Sequence, residues 1–115
     1  MTADRVEDHL PLKPLTYSIL LALREGDSYG YGIAKRVGEP AGGGIRLAPS
    51  NLYHVLDRLA GMGFIESSHR RDPNDERRTY YRLTGLGRAV FQAETERLKA
   101  VLGLTGDLSS VPETR

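Results

Sequence analysis

One stretch, residues 45–84, constrains this 115-residue chain more than any other. It opens with Ile45-Arg46-Leu47-Ala48-Pro49-Ser50-Asn51-Leu52-Tyr53, continues through Leu56, Leu59, Gly63, Phe64 and Ile65, crosses an arginine-rich loop and returns as Thr79-Tyr80-Tyr81-Arg82-Leu83-Thr84. Leu52, Val55, Leu56, Leu59 and Met62 recur at helical spacing and form one stripe. Pro49 suits the first turn of that helix and Gly63 its end. Residues 64–70 and 78–83 carry the aromatic and β-branched residues of two strands, and Asp72-Pro73-Asn74-Asp75 between them is strong turn chemistry. A one-faced helix followed by a hairpin is the plan of a winged helix-turn-helix, which makes DNA binding the leading expectation.

The rest of the chain supplies the remaining helices. Residues 15–24 predict a first helix with Pro14 in its first turn; Leu15, Ile19, Ala22 and Leu23 share one face, while Tyr17 and Leu21 fall on another. A helix apolar on two sides needs two partners. Asp27-Ser28 offers a cap for a second helix over residues 29–37, buried through Ile33, Ala34 and Val37. Residues 38–44 read as a glycine-rich connector, since no GK[ST] follows the glycines as a phosphate cradle requires. Residues 45–47 predict a very short strand. Thr84 is a plausible cap for a last helix over 86–102, whose apolar residues spread over nearly half its circumference, wider than one packing face requires. The expected organisation is a flexible arm at 1–13, a winged helix-turn-helix at 14–84, a C-terminal dimerisation helix at 85–104 and a disordered tail at 105–115. The fold class is mostly α with a small β-hairpin.

The formal net charge is only +1, weak for a DNA-binding protein. Its distribution says more. Residues 45–88 hold eight arginines against five acidic residues, a balance of +3 that leaves the remainder at −2. Phosphate affinity follows local potential, so the segment matters more than the total. With no cysteine, disulfides and thiolate metal sites are excluded, which fits a cytoplasmic location. The longest apolar run, residues 19–23, is too short for a bilayer, and the first nine residues do not resemble a signal peptide. There is no H-E-x-x-H, P-loop or nucleophile elbow, and His9, His54 and His69 fall in three different elements, so neither an enzyme nor a metal or other cofactor is expected.

The residues resemble the PadR family of bacterial transcriptional regulators, in the short form with a single C-terminal helix. The carrying pieces are Tyr29-Gly30-Tyr31-Gly32-Ile33; Leu47-Ala48-Pro49-Ser50-Asn51-Leu52-Tyr53; Leu56-Asp57-Arg58-Leu59 with Gly63-Phe64-Ile65; and Tyr80-Tyr81-Arg82-Leu83-Thr84 with Gly87-Arg88. The resemblance implies a homodimer that represses through a pseudo-palindromic operator on double-stranded DNA, released in many members by a small aromatic or hydrophobic effector near the dimer interface. Two departures stand out. Members usually have Ser where this chain has Ala48, so either Ser50 compensates for the lost cap or the helix starts about half a turn later. The chain also has no tryptophan, so the indole stacking some small relatives use for flat aromatic drugs does not carry over.

Within this frame Ser50, Asn51, Tyr53 and His54 occupy the first turns of the recognition helix, where side chains reach base edges. Asn51 has a plainer alternative as a helix-start hydrogen bonder. Arg70, Arg71, Arg77 and Arg78 flank the wing turn; Arg77 and Arg78 are the expected phosphate or minor-groove contacts, against a solvated hairpin neutralised by its own acids. Lys35 and Arg36 are candidate backbone contacts, and Tyr29 and Tyr31 divide between core packing and a phosphate bond. The dimer interface is expected from Tyr17 and Leu21 together with Val90, Phe91, Glu94, Leu98, Val101 and Leu102. Glu94, charged within an apolar stripe, needs a partner, either Arg97 or an arginine of the other subunit. The competing reading is a winged-helix module for protein contact.

Overall fold

Pro14, with its φ already fixed and no N–H to lose, opens α1 (Pro14–Leu23). The computed structural model describes residues 5–71 and 77–105, and side chains in those ranges other than those of residues 71, 77 and 105. A two-residue strand β1 (Ser28–Tyr29) follows α1, then α2 (Gly30–Gly38), α3 (Pro49–Gly61), strands β2 (Ile65–Arg71) and β3 (Arg77–Leu83), and α4 (Gly85–Thr105). The sheet is antiparallel in the order β1-β3-β2, with Ile65 opposite Leu83, Arg71 opposite Arg77, and Tyr29 opposite Tyr80.

The apolar residues that recur at helical spacing meet in one core. Ile19, Leu20 and Leu23 of α1 pack with Ile33 and Val37 of α2, Leu52, Leu56 and Leu59 of α3, Phe64, Ile65 and Leu83 of the hairpin, and Val90 of α4. Two glycines set the geometry at which these elements meet. Gly63 takes φ 83°, a left-handed conformation that turns α3 directly into β2 at little steric cost. Gly87 lets α4 cross the hairpin: a Cβ there would stand 1.9 Å from the Phe64 carbonyl oxygen. Thr84 caps α4 as its sequence suggests, accepting from the Gly87 N–H at 3.0 Å and donating to the Gly63 carbonyl.

Four expectations are corrected. Ser28 is not a helix cap but pairs with Tyr81 in β1, and α2 begins at Gly30. Residues 45–47 form no strand; the Ile45 N–H bonds the Val37 carbonyl at 3.0 Å, folding the connector back on the end of α2. Met62, at the end of its stripe, is 39% exposed. The described part of the expected arm, residues 5–13, is packed. It makes a 3-10 turn at Val6–His9 and lays Val6, Leu10 and Leu12 against the core, with the His9 ring edge-on to Phe64 at 4.9 Å. The 3-10 turn packs against α4, which runs 21 residues or about 32 Å. Residues 106–115 of the expected tail lie outside the described residues.

Candidate nucleic-acid interface

The buried stripe of α3 dictates what the helix presents outward. With Leu52, Val55, Leu56 and Leu59 in the core, Ser50, Asn51, Tyr53 and His54 are all exposed, and Asp57 and Arg58 continue the same side. The helix begins at Pro49 with no side-chain cap; the Ala48 carbonyl accepts the Leu52 N–H at 3.0 Å. Neither expected remedy for the missing serine is used: Ser50 does not cap, and the helix does not start late. The polar groups of Ser50 and Asn51 thus stand in the first turn, outside the helix's own capping.

Beside this row the N-terminus of α2 and the turn end of β3 form a cleft of about 330 Å³, lined by Tyr29, Gly30, Tyr31, Tyr53, Arg78 and Thr79. Tyr53 crosses from α3 toward α2 so closely that a Cβ on Gly30 would lie 2.6 Å from its hydroxyl. The Arg78 guanidinium lies 4.3 Å above the Tyr29 ring, which also meets Tyr80 edge-on at 5.5 Å and stacks with Tyr31 at 6.4 Å. A cation over an aromatic face is attracted by the ring quadrupole. Tyr81, alternating with Tyr80, turns inward; burial raises its phenol pKa, and the Asp57 charge adds to this.

These features are those of a winged helix, and the sequence comparison assigns the family. The profile of the transcriptional regulator PadR-like family matches residues 19–93. The chain belongs to that family. It is a family of transcriptional regulators, not enzymes. The PadR-like chain is 32% identical over 73 residues to an uncharacterised protein of Lysinibacillus sphaericus, covering 64% of this chain and 67% of that one. It is also similar to the crystal structure of a PadR family transcription regulator from Clostridium difficile, with a TM-score of 0.71 at 26% identity over 80% of this chain and 94% of that one. Bacillus subtilis PadR in complex with operator DNA matches with a TM-score of 0.60 at 27% identity, over 90% of this chain but 52% of that one.

In this PadR-like chain the other candidates divide. Lys35 is exposed on α2. Arg36, by contrast, donates to the Ala22 carbonyl at 2.6 Å and ties α2 to α1. Arg70 is bound to Asp27 and lies 4.8 Å from the centre of the Tyr80 ring. Arg82 pairs with Glu66 across the hairpin at 2.5 Å. The turn at residues 72–76 and the side chains of Arg71 and Arg77 lie outside the described residues. Sequence reasoning did not place Asp27, Gly30 and Thr79 at the site: Asp27 reads as a helix cap and Gly30 as part of the family motif, and they join the site only through the pairing of β1 with β3, the Arg70–Asp27 pair and the approach of Tyr53 to α2.

Three residues expected at a dimer interface are spent inside the monomer. Val90 is fully buried, Phe91 is 8% exposed and Glu94 2%. The reason is the α1–α4 contact: Tyr17 stacks on Phe91 at 5.1 Å and its hydroxyl meets Thr95 Oγ1 at 2.7 Å. Glu94 accepts from Arg97 Nε at 2.6 Å and Nη2 at 3.0 Å, and from the Leu12 backbone N–H at 3.0 Å. The hydrogen bond with Arg97, assisted by Leu12, outweighs burial and holds its carboxyl below the usual glutamate range. Tyr17, Leu21 and Leu98 are partly exposed, and the far end of α4 carries exposed Val101 (45%), Leu102 (57%) and Leu104 (89%). No helix among the described residues is long and apolar enough to cross a membrane.

Proposed function

We propose that this chain is a homodimeric repressor that reads a pseudo-palindromic operator in double-stranded DNA through α3 and the hairpin, and that it works in the cytoplasm. The observation that carries the reading is the single outward row Ser50, Asn51, Tyr53 and His54 set beside Arg78, donors and a cation on one side of a helix of major-groove size. The operator complex of Bacillus subtilis PadR supports it by family likeness. Asn51 contributes base recognition; Tyr29, Lys35, Tyr53, Arg77 and Arg78 contribute phosphate or groove contacts.

The second copy joins through Tyr17, Leu21, Leu98, Val101 and Leu102, with Leu104 added. Three exposed apolar residues in the last turn of a helix, Val101, Leu102 and Leu104, favour an interface over solvent. A small aromatic or hydrophobic effector acts by preferring a different angle between the copies, and shifts the population by no more than its differential affinity. A groove of about 330 Å³ along α4, lined by Arg24, Arg88, Phe91, Gln92, Thr95, Glu96 and Lys99, is of a size to receive one.

Selection of bound sequences from a random duplex pool at two salt concentrations tests the reading. The expected result is a palindromic motif with half-sites about 34 Å apart and retention that falls steeply with salt. No enrichment, with weak salt-insensitive retention, refutes it in favour of a protein-contact module.

A further inference from the structure

Arg70 and Arg78 face each other directly across the hairpin. Like charges at such a position repel, and this pair stands second from the turn, past the residues that β1 pairs. Each guanidinium is stabilised by a neighbour: Arg70 donates to the Asp27 carboxylate and lies over Tyr80, and Arg78 lies over Tyr29. Tyr29 and Tyr80 are themselves register partners with their rings in contact. A continuous row therefore runs from Asp27 through Arg70, Tyr80 and Tyr29 to Arg78. Because β2 is the outer strand of the order β1-β3-β2, the Asp27–Arg70 pair reaches across β3 and ties the far side of the hairpin to the loop after α1.

We propose that Asp27 is a positioning residue for DNA binding: it anchors Arg70, and through the tyrosine pair fixes the platform on which Arg78 meets the phosphate backbone. The proposal rests on the DNA-binding reading above and divides the labour between two arginines that look equivalent in sequence. Arg70 is the anchor and Arg78 the contact. A hairpin held mainly by its own two strands twists more than a wider sheet, and β1 adds only two residues of pairing, so a side-chain tie beyond that pairing sets where Arg78 points.

The sign of one effect makes the test sharp. Removing an acidic residue from a DNA-binding surface ordinarily strengthens binding, because phosphates repel it. Here Asp27→Asn weakens binding, by about three- to fivefold, the scale of an exposed ion pair. Affinities of the full chain for a random-sequence duplex and for the selected duplex are read by fluorescence anisotropy over a salt series. Arg70→Gln is expected to match Asp27→Asn in loss, the double variant to be no weaker than either, and neither single to change the slope of log K against log salt. Arg78→Gln lowers that slope by about one. Thermal melts check that each variant folds, and since Asp27 and Arg70 are changed separately, either alone decides. Unchanged or tighter binding by Asp27→Asn, or a slope lowered by Arg70→Gln as by Arg78→Gln, overturns the positioning role. Wild-type chain with no salt-sensitive binding at all overturns the functional reading beneath it, and this role with it.

Discussion

Replacing Glu94 with alanine removes a carboxylate buried where α4, the N-terminal segment and α1 meet. The Leu12 N–H then loses its acceptor, and an unsatisfied buried donor costs about 1–3 kcal/mol. The vacated side-chain volume adds about 1 kcal/mol on the scale of small core truncations. Arg97, 40% exposed, turns to water, so the full penalty of a stranded buried charge does not apply. The sum is roughly 2–4 kcal/mol, or about 10–25 °C in melting temperature for a domain of this size. Urea and thermal unfolding at equal protein concentration measure it, since the proposed dimerisation would make apparent stability concentration-dependent. The pH dependence is a second readout with a fixed sign. A carboxyl whose folded pKa lies below its ordinary 4.5 gives stability that is complete above that value and lost as pH falls through the folded pKa. Wild-type stability therefore drops on acidification below pH 4.5, and Glu94→Ala lacks that portion of the drop. A loss under about 1 kcal/mol with an unchanged acid limb would refute the argument.

Gly87→Ala drives a methyl into the Phe64 carbonyl, which as backbone cannot turn aside, and should cost about 1–3 kcal/mol in chemical denaturation. Asn51→Ala should cost about 1–3 kcal/mol of discrimination at one position of each half-site, read by repeating the selection with the variant, while other positions keep their preference. Val101→Asp combined with Leu102→Asp should leave the helical circular dichroism intact and convert the sedimenting species to monomer, since both side chains are exposed in the isolated chain.

How much of this could be read from sequence depended on whether a signal was periodic and local. The α3 stripe and the paired strands were visible because burial on one side imposes a period, and the exposed row Ser50, Asn51, Tyr53 and His54 follows from the same geometry. Thr84 was visible as a cap because capping chemistry is confined to a few residue types. The two-residue β1 was not, because Ser28 and Tyr29 are held by Tyr81 and Tyr80 more than fifty positions away. Residues 45–47 misled for the opposite reason: alternating Ile45 and Leu47 mimic a strand, yet both pack as loop side chains and the backbone bonds to α2. The width of the α4 stripe was real, but its apolar positions serve two ends, Val90 and Phe91 inward on α1 and Val101 and Leu102 outward. Sequence width alone cannot divide such a stripe. Val6, Leu10 and Leu12 give no signal among polar neighbours because they follow no helical or strand period.

One face, the start of α3 with the Arg78 end of the hairpin, is proposed to read DNA. Backbone amide shifts followed by NMR as a duplex is added test it residue by residue. Perturbations are expected to cluster at Ser50, Asn51, Tyr53, His54 and Arg78, with smaller ones near Tyr29 and Lys35 and none originating at Leu104. Shifts confined to α4, or none at a duplex concentration that saturates binding, would contradict it.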